Sequence, residues 1–174
     1  MHIDQSLRPR PRRAGSVLAC LAICVAVAPA APAVQERAAD PCDLLSALHL
    51  QQTLGQPFEV PEHSVAPAAF PGERAGTQCN YRMQSDHSRQ VVFIEYIDAS
   101  AADAKAAFDK LSTWFPPTSQ PFGVGDSAYI DDNRAIHVLK GRIRYYINII
   151  PFGTTSPEKQ KQLRDLADWV AGQL

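Results

Sequence analysis

Two hydrophobic periods alternate along this chain, and each change of period marks a change of element. From Asp40 the pattern is helical. Leu44, Leu45, Leu48 and Leu54 share a stripe, Asp40 is placed to cap, Pro41 sits at the first helical position and Gly55 is a stop. Ser46 is a second cap, so the segment is one helix or two short pieces. Residues 57–76 lose the period: Pro57, Pro61, Pro67 and Pro71 punctuate a long connection, with a strand around Phe58-Glu59-Val60 as a candidate. From Thr77 the period becomes two, predicting strands over Thr77–Gln84 and Gln90–Ile97 around a polar turn at 85–89. Ser100 caps a helix from Ala101 to Phe115, with Ala104, Ala107, Phe108, Leu111 and Phe115 on its buried face.

A meander follows over 129–131, 135–140 and 143–150, with a tight turn at Lys140-Gly141. In its last strand Ile143, Tyr145, Ile147 and Ile149 face one way, and Arg144, Tyr146 and Asn148 the other. Ser156 and Pro157 open a final helix that buries Leu163, Leu166, Ala167 and Val170. The order of helix, strands, helix, strands, helix predicts an α+β fold. Its mostly antiparallel sheet carries three helices packed mainly on one face.

The N-terminal part reads as an export signal. Arg8, Arg10, Arg12 and Arg13 precede an apolar stretch from Ala14 to Ala28, and small residues lead to cleavage after Ala33, with Ala30 as the alternative. The stretch is shorter than the ~20 residues that span a bilayer. This predicts a cleaved signal at 1–33, a mobile lead at 34–39, one domain at 40–174 and no transmembrane span in the mature chain. Location is then periplasmic or secreted. Cys20 and Cys24 make poor lipidation sites, and Ala-Gly-Ser after Arg12-Arg13 is poor company for the twin-arginine route.

Export changes the composition that matters. The chain has 17 basic and 18 acidic residues, of which four arginines and Asp4 lie before position 34, so the remainder holds 13 basic against 17 acidic, a net of −4. That balance argues against nucleic acid as a partner. Only Cys42 and Cys79 remain, which predicts one disulfide in an oxidising compartment. They form no Cys-x-x-Cys pair, which disfavours redox catalysis.

Several segments together carry a resemblance: Asp40-Pro41-Cys42-Asp43-Leu44-Leu45, Leu54-Gly55, Cys79-Asn80-Tyr81-Arg82 and Gly123-Val124-Gly125-Asp126-Ser127-Ala128-Tyr129. With them the chain resembles small exported bacterial lipoprotein-type domains of unknown function. The resemblance implies a compact α+β unit with a disulfide joining the first helix to an early strand. It brings no catalytic residues.

Candidate chemistry is sparse. Gly123-x-Gly125 lacks the lysine or third glycine of a phosphate cradle and predicts a turn that opens a strand. His49, His63, His87 and His137 have no metal-ligand spacing and are expected at the surface or in turns. Asp131-Asp132-Asn133 reads as a turn rather than a calcium loop. Ser127 lies outside any Gly-x-Ser-x-Gly elbow. Neither a catalytic set, a metal site nor a cofactor is predicted. Arg142, Arg144, Tyr146 and Asn148 are the candidate interaction face, provided no helix covers them, with 57–76 as an overhanging lid or docking loop. The expectation is a non-catalytic binding module whose partner is a protein or a component of the cell envelope. The alternatives are a small envelope hydrolase whose residues converge only in three dimensions, and an inhibitor or immunity-type protein with a protruding loop at 61–76.

Overall fold

The computed structural model describes residues 40–132, 134–151 and 156–174. The expected signal segment 1–33 and the expected lead 34–39, with Cys20 and Cys24, lie outside the described residues. Everything described falls in one compact unit.

Asp40 accepts a hydrogen bond from the Cys42 N–H at 2.9 Å and starts α1, Pro41–Leu44. Ser46 accepts from the His49 N–H at 3.2 Å and starts α2, Ala47–Leu54, so the first helix is in two pieces. Gly55 closes α2 in the left-handed conformation. The long connection contains β1, Glu62–Ala66, whereas Phe58 makes only an isolated bridge to Met83. Then come β2 (Gly76–Met83), β3 (Asp86–Ile97), α3 (Ala101–Trp114), β4 (Ser127–Ile130), β5 (Ile136–Lys140), β6 (Ile143–Ile150) and α4 (Pro157–Gln173). β3 starts earlier than alternation predicts. A register shift between Arg82 and Met83 absorbs exposed polar residues there, which need no apolar partner.

The six strands form one antiparallel sheet in the order β1-β2-β3-β6-β5-β4. Its faces are covered separately. On the first face Leu45, Leu50, Leu163 and Leu166 of the α1, α2 and α4 region meet Tyr81, Phe93, Tyr145 and Ile147. Two tyrosines pin these helices: Tyr81 OH donates to the Cys42 carbonyl at 3.1 Å and Tyr145 OH to the Ala167 carbonyl at 2.6 Å. α3 lies on the second face, with Ala104 and Phe108 against Tyr129 and Leu139. The fold is α+β, with helices mainly on one face. Among the described residues no helix is long and apolar enough to cross a membrane.

Gly125 is where glycine is required. Its φ is +60°, and a Cβ would stand 2.5 Å from the Leu139 carbonyl oxygen. The Asp126 N–H donates to that same carbonyl, and Asp126 Oδ2 accepts from the Gly141 N–H at 2.6 Å. The Gly123-x-Gly125 segment is therefore the turn that opens β4, anchored on the β5–β6 hairpin.

Cys42 and Cys79 are bonded across 5.6 Å between Cα atoms and join α1 to β2, closing a sequence separation of 37. Replacing both by serine is expected to lower unfolding free energy by about 3–4 kcal/mol in urea titration. An unchanged midpoint would deny the bridge a stabilising role.

Candidate functional site

Pleating alone builds a row across the second face. Gln78 pairs with Ile94, Ile94 with Tyr146, Tyr146 with His137 and His137 with Tyr129, so five strands contribute one residue each. Gln78, Ile94, Tyr146 and His137 line a cavity of about 300 Å³. Leu111 and Phe115, from α3 and its C-terminal cap, form one wall, and Pro67, Ala68 and Ala69 another. Tyr96 and Asp131 complete the lining.

His137 is the most constrained side chain there. Only 3% exposed, it is stacked on Tyr129 at 4.8 Å and on Phe115 at 5.9 Å between ring centroids. Its Nε2 donates to Asp131 Oδ2 at 2.9 Å, while Asp131 Oδ1 accepts from the Ala135 N–H at 2.8 Å. A carboxylate oxygen only accepts, so this bond places the imidazole hydrogen on Nε2. The other nitrogen, Nδ1, is buried without a hydrogen-bond partner among the described residues. Asn148 Nδ2 donates to Tyr146 OH at 2.9 Å. Burial raises the pKa of the Tyr146 phenol, partly offset by that bond, and burial followed by the charge of Glu73 pushes Tyr96 up to about 12. Both phenols stay protonated at neutral pH.

Residues 67–73 form a strap held down on this face. Tyr96 OH donates to the Pro67 carbonyl at 3.1 Å, Phe70 is buried, and Lys110 Nζ lies 4.1 Å from the centre of the Phe70 ring. Glu73 Oε2 accepts from the Ala69 N–H, and Glu73 Oε1 meets Arg144 Nη2 at 2.5 Å. Arg144 also donates through Nε to Asp98 Oδ2 at 2.7 Å and lies over the Tyr96 ring. Burial works against the charged guanidinium, but its bonds to Asp98 and Glu73 outweigh this and raise its pKa.

The expected interaction face is thus not an open surface. Arg144 and Asn148 are buried and Tyr146 is half-buried: Glu73 of the strap meets Arg144, and Leu111 and Phe115 line the cavity with Tyr146. Arg142 lies in the β5–β6 turn, half-buried. The 61–76 segment, expected to protrude as a loop in the inhibitor alternative, consists of β1, a largely exposed strand at the sheet edge, followed by the strap. His137 is also not a surface or turn histidine, since it lies within β5. The other three are more exposed: His49 stacks on Trp169, His63 is near Asp40 and His87 near Glu59. Asn133 of the candidate calcium turn lies outside the described residues, and Asp131 is engaged by His137. Ser127 begins β4. Among the described residues, metal-type ligand atoms gather at Asp40, Cys42 and Cys79, whose sulfurs are bonded to each other.

Compared with known proteins, the chain matches no family model and no curated sequence.

One buried acid lies on the other face. Glu95 shares the side of Val91 and Phe93, and burial pushes its carboxyl from 4.5 up to about 7. The folded protein therefore keeps this proton between those values while the unfolded chain has lost it. Stability falls as pH rises through that window and levels off above it. Glu95→Gln is expected to remove this fall and to be more stable than wild type at pH 8 by on the order of 1 kcal/mol, but not at pH 4. Urea titrations at the two pH values check this. Equal differences at both would place the titration elsewhere.

Proposed function

We propose that the protein is a non-catalytic binding module exported to the cell envelope, and that it binds a small molecule between the strap, α3 and the sheet. The observation that carries this reading is the cavity itself. Its volume of about 300 Å³ lies at the lower end of the range for small-molecule sites, and its lining is mostly apolar with a few converging polar groups. Export is supported by the apolar N-terminal segment and by a disulfide of the kind that persists in oxidising compartments. The same setting keeps the resemblance to exported lipoprotein-type domains within the proposal.

A hydrolase is the second reading, favoured by one observation: a buried His–Asp pair lies on the cavity lining. Among the described residues no serine, threonine or cysteine shares that lining, so His137 would have to activate water rather than one of those side chains.

The test is an NMR titration of the purified protein with a library of low-mass neutral compounds. Shifts are expected to converge on Ile94, Leu111, Phe115, His137 and Tyr146. Ala68→Trp, which fills the cavity from the exposed strap, should abolish them while leaving the spectrum folded. Saturable binding that moves only residues away from the cavity, or binding unchanged by Ala68→Trp, would overturn the reading. Turnover of a bound ester or amide that stops in His137→Gln would favour the hydrolase.

A further inference from the structure

We infer that the protein has a second binding site, for a small organic anion: a carboxylate or phosphate carried on a short alkyl body. The site is a groove at one end of the first face, between the end of α2 and the start of α4. It shares no residue with the cavity under the strap and does not depend on it.

The groove is made of two adjoining hollows, of about 460 Å³ and about 90 Å³. Arg89, Ile149, Ile150 and Gln162 line both, which makes them continuous. Their outer parts differ in chemistry. The smaller hollow ends on Leu54, Phe58 and Met83, and the larger on Ser156, Glu158 and Lys159.

Charge selects the ligand's head. Residues 34–174 hold more acidic than basic side chains, yet cations gather at this corner. Lys159 Nζ donates to the Ile149 carbonyl at 2.9 Å and to the Pro151 carbonyl at 3.4 Å, which fixes the ammonium at the end of β6 and leaves one N–H for a ligand. Burial lowers the pKa of Lys159, and the charges of Arg134 and Arg89 lower it further. Among the described residues no carboxylate pairs with any of these three cations. Glu158 is the single carboxylate of the lining and is exposed, while Asp86, in the same hairpin as Arg89, bonds Ser88 instead. An anion placed here offsets the repulsion among three cations; an uncharged head does not.

The apolar end selects the body. A bare anion would meet the cations and leave Leu54 and Ile149, both half-buried, facing water. A few alkyl carbons beside the head cover them and add affinity with each CH₂ removed from water. The narrowness of the smaller hollow favours a short body over a long chain.

NMR titration of the purified protein with hexanoate, hexyl phosphate, acetate and 1-hexanol tests this, with affinities read at Leu54, Ile149, Ile150 and Gln162. The tighter of hexanoate and hexyl phosphate identifies the head, and it is expected to bind about tenfold tighter than 1-hexanol and about tenfold tighter than acetate. Raising the ionic strength about tenfold should weaken it severalfold and leave 1-hexanol unchanged, a readout in wild type that needs no variant. Arg89→Gln, at an exposed position, should keep the folded spectrum and lose most of the advantage over 1-hexanol. Binding of 1-hexanol as tight as that of the anions would overturn the charge selection, and acetate as tight as hexanoate would overturn the alkyl body. No saturable shift with either anion, or shifts confined to Ile94, His137 and Tyr146, would overturn the site itself while leaving the cavity under the strap to its own test.

Discussion

Arg144 carries a full positive charge inside the protein, and the arrangement of the second face depends on how that charge is matched. Asp98 approaches it from the link between β3 and α3, and Glu73 from the strap. A buried guanidinium with its partners removed costs about 3–5 kcal/mol, comparable to a large share of a small domain's stability. The chain therefore has a strong reason to keep both carboxylates in place. Because one belongs to a segment without regular structure, the ion cluster converts an otherwise loose connection into a wall. Tyr96 works alongside it, stacking under the guanidinium while its hydroxyl holds Pro67.

The two faces of the sheet differ in how fully they are filled, and that difference locates the site. On the first face α1, α2 and α4 supply leucines in depth, and Tyr81 and Tyr145 bond the helices to the sheet. The second face has one helix and a short strap to cover the same strands. α3 packs closely at the β4–β5 side through Phe108 on Tyr129. Toward β2 and β3 the strap's small residues, Ala68 and Ala69, stand over Ile94 and Gln78 without filling the space. The cavity is the consequence of covering a wide sheet with small side chains held in place by charge rather than by bulk.

Much of this architecture was legible in the pattern of residues. The helices announced their caps, the strands their alternation, and the sole remaining cysteine pair its bond. The division of β6 into Tyr145 and Ile147 against Arg144, Tyr146 and Asn148 was also correct as geometry; what covers the second group was not. Two local signals pointed to a cover. Ile136-His137-Val138-Leu139 is apolar at three of four positions and buried throughout, as a strand is when both its faces are packed. The apolar stripe Ala104, Phe108 and Leu111 needed a sheet face of its own. The 57–76 connection was read as a lid over this face, but its anchor was beyond reach, because Glu73 and Arg144 meet across seventy-one positions with no periodicity between them to mark it. The Asp131–His137 bond was hidden by context: Asp131 sits among turn-formers, and turns usually expose their aspartates.

The central claim is that the ion cluster holds the strap as a wall of the cavity. Amide hydrogen exchange of the wild type and Glu73→Ala tests it most directly, with Ala69 as reporter because its N–H is bonded to the Glu73 carboxylate. The account predicts that exchange at Ala68, Ala69 and Phe70 accelerates by about tenfold or more in the variant, while β3 and β6 keep their protection. Unchanged protection in the strap, or loss of protection spread evenly through the sheet, would contradict it.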